Sequence, residues 1–504
     1  MLEPLDSLFR HIPHDYNEGW NAYWADIARQ GGSLYPPGDS PVANNYPPLS
    51  FYLIGALGKL CGDNIFAGRM VSLLSLLLVT LNIGLWLRAA GTSAPVAQFT
   101  AALFIAAFVV YAPDYVATND PQLLAHAFMM SGTTILWRYD FSRKAMAAGA
   151  CLMVLGGLTK HLLIPLPLAV TAWIALYRRD RLATWLWMSA LALAAALALV
   201  TWLYGTAFFH SLASSRTYSR LLSRRGVIRV WKTLPVVHLL GVGAVAACVS
   251  RLVPSAVRRF ATLTVLYGLC SLAIGVWASS GAGVDRNAFF DFAIAACLAV
   301  GATLEQLRSR PAVFASHGDN TLLVVAMVAA FAASYAVEAF VQLPRELRLV
   351  AGEASREAQY KAQIATIAAA GPGGAACETL SLCYWAGEPF AVDFFNYGQK
   401  LATNAIRSQT CERVFAEGSF ELLELDAPRS QIMSRRLPAS CNHLIADRFT
   451  AISATPYGTL LRRQHIHPGA EPDEWGLDEV VKDLAQQRQC RQRQQQDGGR
   501  CPLT

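Results

Sequence analysis

The sequence predicts a mainly α, polytopic transmembrane helical bundle of about ten visible spans, followed by a small C-terminal extracytoplasmic α+β domain. Three observations carry this prediction. The 504-residue chain is 54% hydrophobic and only 15% charged, where a soluble chain carries about a quarter charged residues. Its apolar residues fall in one block after another over 65–340, whereas 1–64 and 341–504 have ordinary globular composition. The basic residues behind the net charge of +7 sit in short clusters between apolar runs. That is a membrane-topology pattern and excludes a nucleic-acid surface.

A helix needs roughly 20 residues to cross the hydrocarbon. Spans are predicted at 65–87, 94–113, 120–137, 145–159, 161–177, 183–209, 233–252, 259–279, 287–305 and 320–340. The fourth and fifth are short and meet at Lys160. Alternate gaps carry the positive charge: Arg88; Arg138, Arg143 and Lys144; Arg178, Arg179 and Arg181; Arg251, Arg258 and Arg259; Arg308 and Arg310. The positive-inside rule puts these in the cytoplasm, so the front loop, 114–119, 280–286 and everything after 340 face outward. With residues 1–64 outside and the first span running inward, translocation of the front loop calls for an added device, such as an upstream helix. Residues 1–15 lack the apolar core of a signal peptide.

One outward gap breaks the charge rule. Residues 210–232 carry Arg216, Arg220, Arg224, Arg225, Arg229 and Lys232. Spacings of four align Arg216, Arg220 and Arg224 on one helix face, with Leu221, Leu222, Val227, Ile228 and Trp231 able to dip into lipid. Two roles stay open and are compatible: gripping anionic headgroups, or cradling a phosphorylated lipid substrate.

In the tail, 341–370 reads helical and Gly371-Pro372-Gly373-Gly374 breaks it. Strand-like runs follow at Glu378–Trp385 and Phe420–Leu425. The Gln/Arg-rich end cannot bury a core and is expected to be disordered. Four segments result: an outward catalytic loop with amphipathic helices (1–64), the bundle (65–340), the soluble domain (341–485) and the tail (486–504). Of the 11 cysteines, Cys151, Cys248, Cys270 and Cys297 fall in spans. Cys377 with Cys383, or Cys411 with Cys441, can bridge in an oxidising compartment. Spacing does not fix connectivity; Cys377–Cys383 is the favoured pair, and no zinc-type spacing is present.

The front loop is richest in chemistry, with Asp15, Glu18 and Asp26 near Trp20, Tyr23 and Trp24. A helix over 17–29 would put Glu18 on a face with Gly19, Ala22 and Ala25. A carboxylate near apolar rings can have its pKa raised into the range of a useful base. Against this, Asp15 or Asn17 can simply cap that helix. Asp120 before Pro121 also reads as a cap. Lys160 can snorkel to the interface or bind a phosphate as a point charge. For Asp285, Arg286 and Asn287 a solvated loop is the plain reading.

These residues resemble a known superfamily. Glu18-Gly19-Trp20-Asn21-Ala22-Tyr23 and the Tyr46-Pro47-Pro48-Leu49 turn are similar to segments of polytopic C-type-fold glycosyltransferases, the relatives of protein O-mannosyltransferases and the lipid A aminoarabinose transferase. Asp120-Pro121-Gln122-Leu123-Leu124, Gly157-Leu158-Thr159-Lys160 and the stretch from Gly283 to Asp291 resemble further motifs of that superfamily. The resemblance covers about residues 14–305. It implies an integral membrane enzyme of the bacterial inner or plasma membrane that moves a sugar from a polyprenyl-phosphate donor to an acceptor hydroxyl on the outer face, with inversion. The acceptor would be a glycan, lipid or protein.

Carried over position by position, the resemblance makes Glu18 the base, with Asp15 in reserve and Asp120 orienting the acceptor. Lys160 and Arg216, Arg220, Arg224 and Arg225 would neutralise the departing phosphate. Trp20, Tyr23 and Tyr46 would form the substrate loop. No metal or other cofactor is called for, although some relatives use a divalent cation. The sequence departs from the superfamily in carrying Asn17-Glu18 where Asp-Glu is common. The competing function is a transporter or flippase of a lipid-linked or anionic solute. That reading needs ionisable groups at mid-span and internal repeats; the acidic candidates instead cluster at outward helix ends.

Overall fold

A computed structural model of the chain describes residues 2–213, 215–233, 255–309, 321–370, 374–426 and 433–464. The expected span at 233–252 and the tail at 486–504 lie outside these residues. Among the described residues, six helices are long and apolar enough to cross a membrane: Asn64–Ala89 (α4), Ala94–Tyr111 (α5), Arg179–Tyr204 (α9), a stretch within Ser255–Ala278 (α12), the stretch Arg286–Arg308 formed by a 3-10 turn and most of Phe290–Ser309 (α13), and a stretch within Thr321–Ala368 (α14). The remaining bundle helices, Gln122–Arg138 (α6), Arg143–Thr159 (α7) and Pro165–Tyr177 (α8), have 17, 17 and 13 residues. At 1.5 Å per residue the longest of these is about 25 Å, short of a 30 Å core. They pack inside the bundle: α6 lies against α4 and α7, and α8 against α12. Their short length leaves room for a cavity at one end.

The two ends of the bundle differ in chemistry. At one end the basic clusters lie together, around the rings of Trp86, Trp137, Phe260, Phe141 and Trp173. Arg178 pairs with Asp140 at 2.6 Å, Trp173 donates to the Arg259 carbonyl at 2.7 Å, and Ser93 meets Glu305 at 2.9 Å. The opposite end collects the acidic loops, the front segment and the C-terminal sheet.

That front segment contains Leu2–Asp6 (α1), Tyr16–Arg29 (α2) and Leu49–Cys61 (α3). Asp15 starts α2, its carboxylate accepting from Asn17 N at 2.8 Å. Helix α2 is packed on both sides, against α3 and against the short helix Leu380–Trp385 (α15) of the C-terminal part. Gly19 makes the second contact: a Cβ there would run into the backbone of Leu380 and Ser381.

Three expectations are corrected. The apolar run Glu378–Trp385 is not a strand; only Ala375–Cys377 (β1) is extended, and α15 follows. A short apolar run has no period that separates strand from helix, so tertiary packing decided it. The span at 320–340 and the helix at 341–370 form one 48-residue helix, α14, with Pro344 inside it. Strong helix formers on both sides outweigh the hydrogen bond that proline forfeits. Arg216 does not share a helix face with Arg220 and Arg224. The helix α11 begins at Arg220 and runs to Thr233, because residues 217–219 instead pair with 280–282, with Ser219 N donating to Ser280 O at 2.8 Å and Ala282 N to Thr217 O at 2.9 Å.

The C-terminal sheet has the order β1-β2-β4-β3, with β2 at Leu422–Leu425, β3 at Phe449–Thr455 and β4 at Gly458–Arg463. Strands β1 and β2 are parallel and the rest antiparallel. The helix Phe394–Ala402 (α16) covers this part. Cys377 is bonded to Cys383 and Cys411 to Cys441.

Gly19→Ala has no relaxed solution, because backbone occupies the added methyl's position. It is expected to destabilise by about 1–3 kcal/mol or more, read as a lower thermal-unfolding midpoint in detergent than that of an alanine at Gly31, where the open space leaves only the cost of a positive φ.

Candidate functional site

The front loop is held by an ion pair buried within protein. Glu18 and Arg69 side chains are 0% and 1% exposed. Arg69 Nε donates to Glu18 Oε1 at 2.8 Å and Nη2 to Oε2 at 2.7 Å, a bidentate fork. The guanidinium's other donors reach the carbonyls of Ser7 (2.8 Å), Arg10 (2.9 Å) and Ile12 (2.6 Å). Glu18 also accepts from the backbone N–H of His14 at 2.9 Å and of Asn119 at 3.1 Å. Burial alone would raise the Glu18 carboxyl, but Arg69 overcomes it and holds it at about 2. Burial pushes His14 down to about 4, so its ring is neutral beside this pair at neutral pH. Glu18 thus has no free lone pair and no open face.

Asp15 is placed differently. One carboxylate oxygen caps α2; the other makes no hydrogen bond among the described residues. The residue is exposed to solvent, with much protein packed around it. This enclosure raises its pKa to about 6, opposed by the Asn17 N–H and assisted by Asp120, Glu18 and Asp285. The same carboxylates surround Tyr115, where burial first and then Asp120, Asp285 and Asp15 keep the hydroxyl protonated. Asp120 is 5% exposed; its Oδ1 accepts from Gln122 N at 2.8 Å, and its Oδ2 is buried with no hydrogen-bond partner among the described residues. Asp15 and Asp120 therefore each have a capping oxygen and a free one.

Next to this lies a cavity of about 410 Å³ between α8, α10 (Ala207–Leu212), α12 and the loop 281–288. Lys160 and Arg216 line it, with Tyr46, Gln122, Asn287 and Asp291. Lys160 is buried, and its ammonium stands 3.6 Å over the centre of the Tyr46 ring with no hydrogen-bond partner among the described residues. Arg216 stacks on Phe395 at 4.9 Å, and its Nη1 is likewise unpartnered. Asp120 supplies the nearest negative charge to Lys160, and Asp393 acts on the half-buried Arg216, but neither cation has its hydrogen bonds filled, so an anion that supplies acceptors would be stabilised there. Leu212, Ile274 and Trp277 make the lipid-side wall, and Trp277 is 59% exposed.

The cavity is braced from the C-terminal part. Thr217 donates through N (3.0 Å) and Oγ1 (2.9 Å) to Gln399 on α16. Phe395 occupies the position that a side chain at Gly283 would need, where φ is +77°. Trp20 Nε1 donates to the buried Asp393 at 2.9 Å, and its ring meets Tyr46 edge-on at 5.0 Å. Trp20 thus stands behind Tyr46 and not in the cavity. Tyr23 turns away, stacked on Phe390 with its hydroxyl on the Glu388 carbonyl.

Of the predicted phosphate ligands, Lys160 and Arg216 come together. Arg220, Arg224 and Arg225 stay on the exposed surface of α11. Sequence reading missed Arg69, although an arginine near the start of an apolar span was a usable signal. It also missed Asp393 and Gln399, for which no local signal exists. Among the described residues no three His, Cys, Asp or Glu side chains are grouped to hold a metal.

The chain matches no family profile and no curated protein. Its fold is that of ArnT from Cupriavidus metallidurans. The crystal structure of that protein bound to undecaprenyl phosphate superposes with a TM-score of 0.59 at 15% identity, covering 93% of this chain and 97% of that one. The apo structure gives 0.55 at 16% identity, covering 91% and 95%. The polytopic helical architecture with a small C-terminal sheet is shared.

Removing either partner of the buried pair strands the other. Arg69→Ala and Glu18→Gln are each expected to cost about 3–5 kcal/mol, measured as loss of folded protein in detergent melts. Because the Glu18 pKa lies below its ordinary 4.5, its contribution is complete above that pH and is lost as pH falls toward about 2. The wild-type melting temperature should fall across that window, and Glu18→Gln should flatten the dependence.

Proposed function

We propose that this protein is a membrane glycosyltransferase that moves a sugar from a polyprenyl-phosphate donor to an acceptor hydroxyl, with inversion. The observation that carries the reading is the cation pair Lys160 and Arg216, each with a donor that no described residue accepts, in a cavity with a partly apolar wall beside Asp120. A polyprenyl phosphate needs both halves of that cavity. The fold shared with a protein whose structure holds undecaprenyl phosphate supports the same assignment.

In the proposed reaction Asp15 is the base, in place of Glu18. The oxygen of Asp15 not used in capping takes the proton of the acceptor hydroxyl. The acceptor oxygen bonds to the anomeric carbon as the bond from that carbon to the phosphate oxygen breaks. The electron pair leaves with the polyprenyl phosphate, and Lys160 and Arg216 offset its charge. Asp120, through its free oxygen, orients the acceptor. Glu18 works at one remove, fixing with Arg69 and Asn119 the loop from which Asp15 projects. Arg220, Arg224 and Arg225, on the surface, serve headgroup binding instead.

The site end is assigned to the extracytoplasmic face, because the basic residues near Arg88, Arg138, Arg178, Arg259 and Arg308 lie toward the opposite end, the side that positive loops mark as cytoplasmic, with α11 the exception. Glycan, lipid and protein acceptors all supply the required hydroxyl.

Membranes given radiolabelled polyprenyl-phosphate sugars test this. Asp15→Asn is expected to lower kcat/KM by about 10²–10⁴-fold, and Lys160→Ala by about 10²–10³-fold. Because the deprotonated Asp15 is the active form, wild-type kcat/KM should rise with pH through about 6 and then level. A profile that keeps this rise in Asp15→Asn would assign the ionisation to another group.

A further inference from the structure

The cavity has more polar wall than a phosphate uses. Besides its cations, the wall includes Gln122, Asn287 and Asp291. Asp291 lies in the first turn of α13, where the helix dipole favours an anion. A carboxylate among membrane helices is nonetheless expensive and is by default a functional residue. Its Oδ1 accepts from the Tyr267 hydroxyl at 2.5 Å and faces His126 Nε2 at 3.6 Å. His126 is in turn oriented by Nδ1, which donates to the Gln122 carbonyl at 2.8 Å. A carbonyl can only accept, so Nδ1 carries the proton. The Tyr267 hydrogen bond therefore falls on Oδ1, and His126 Nε2, left with a lone pair, lies beside that oxygen without bonding to it. Oδ2 makes no hydrogen bond among the described residues, although the residue is only 6% exposed and lines the cavity. That second oxygen is left for a ligand or solvent in the cavity.

We infer that Asp291, with Gln122 and Asn287 beside it, forms a subsite that binds the hydroxyl groups of the donor's glycosyl unit, and that Asp291 determines which sugars are accepted. The inference rests on the donor reading given above. Charge sets the orientation of the ligand: phosphate is repelled by Asp291 and drawn to Lys160 and Arg216, while an acceptor-only carboxylate selects groups that donate. Sugar hydroxyls donate; the polyprenyl chain offers nothing. Tyr267 acts as the positioning residue that aims the carboxylate.

The test uses the full-length protein in detergent, with Trp277 in the cavity wall as an intrinsic fluorescence reporter. The ligands are a short-chain polyprenyl phosphate and its glucose, mannose and arabinose phosphodiesters. Asp291→Asn removes the charge that repels phosphate, so it is expected to leave affinity for the bare polyprenyl phosphate unchanged or tighter while weakening at least one glycosylated ligand by about 10–100-fold. Tyr267→Phe, which keeps the carboxylate but loosens its aim, should weaken the same ligand by less. Equal losses for bare and glycosylated ligands, or no change for any of them, would overturn the subsite. Bare polyprenyl phosphate that fails to bind wild type, or binds Lys160→Ala equally well, would instead sink the donor reading and the subsite with it.

Discussion

The bidentate contact between Glu18 and Arg69 fixes everything around it, because neither charge can be left alone in the protein interior. Its two partners come from different segments, 51 residues apart. The guanidinium gathers three carbonyls of residues 7–12, and the carboxylate gathers the amides of His14 and Asn119. One pair of side chains thus joins the N-terminal segment, the start of α2, the first long span and the 114–120 loop. Asp15 and Asp120 project from these joined segments, near enough for the Asp120 charge to raise the Asp15 carboxyl.

A second chain of contacts runs from the C-terminal part into the cavity. Asp393 holds Trp20, the Trp20 ring meets Tyr46, and the Tyr46 ring lies under the Lys160 ammonium. A parallel route runs through Phe395 and Gln399 to Arg216 and Thr217. Both cations are therefore placed by side chains outside the bundle. The small sheet and its helices contribute no unpartnered charge of their own to the cavity; what they supply is position.

Much of the helical architecture was legible, because apolar run length and alternating basic clusters depend on the bilayer and not on tertiary detail. The short helices on either side of Lys160 could be read the same way. Three things could not. Glu18 stood out as an acid on a small-residue face, but its partner Arg69 sits in the next apolar stretch, and no local pattern connects them. Arg216 looked like a helix residue by its spacing from Arg220, until pairing with 280–282 pulled it into an extended segment. The run 380–385 carried strand-like residues, but packing against Gly19 of α2 favours a helical turn there. Each miss is a case of long-range contact overriding a local preference.

The central claim is that the cations of the cavity, and not the exposed arginines of α11, receive a lipid phosphate. A cryo-electron microscopy structure of the full-length protein in nanodiscs with a polyprenyl phosphate would test it most directly. The account predicts phosphate density within hydrogen-bonding distance of Lys160 Nζ and Arg216 Nη1, with the chain leaving past Trp277. Density for the headgroup against Arg220, Arg224 and Arg225, with the cavity holding only water, would contradict it.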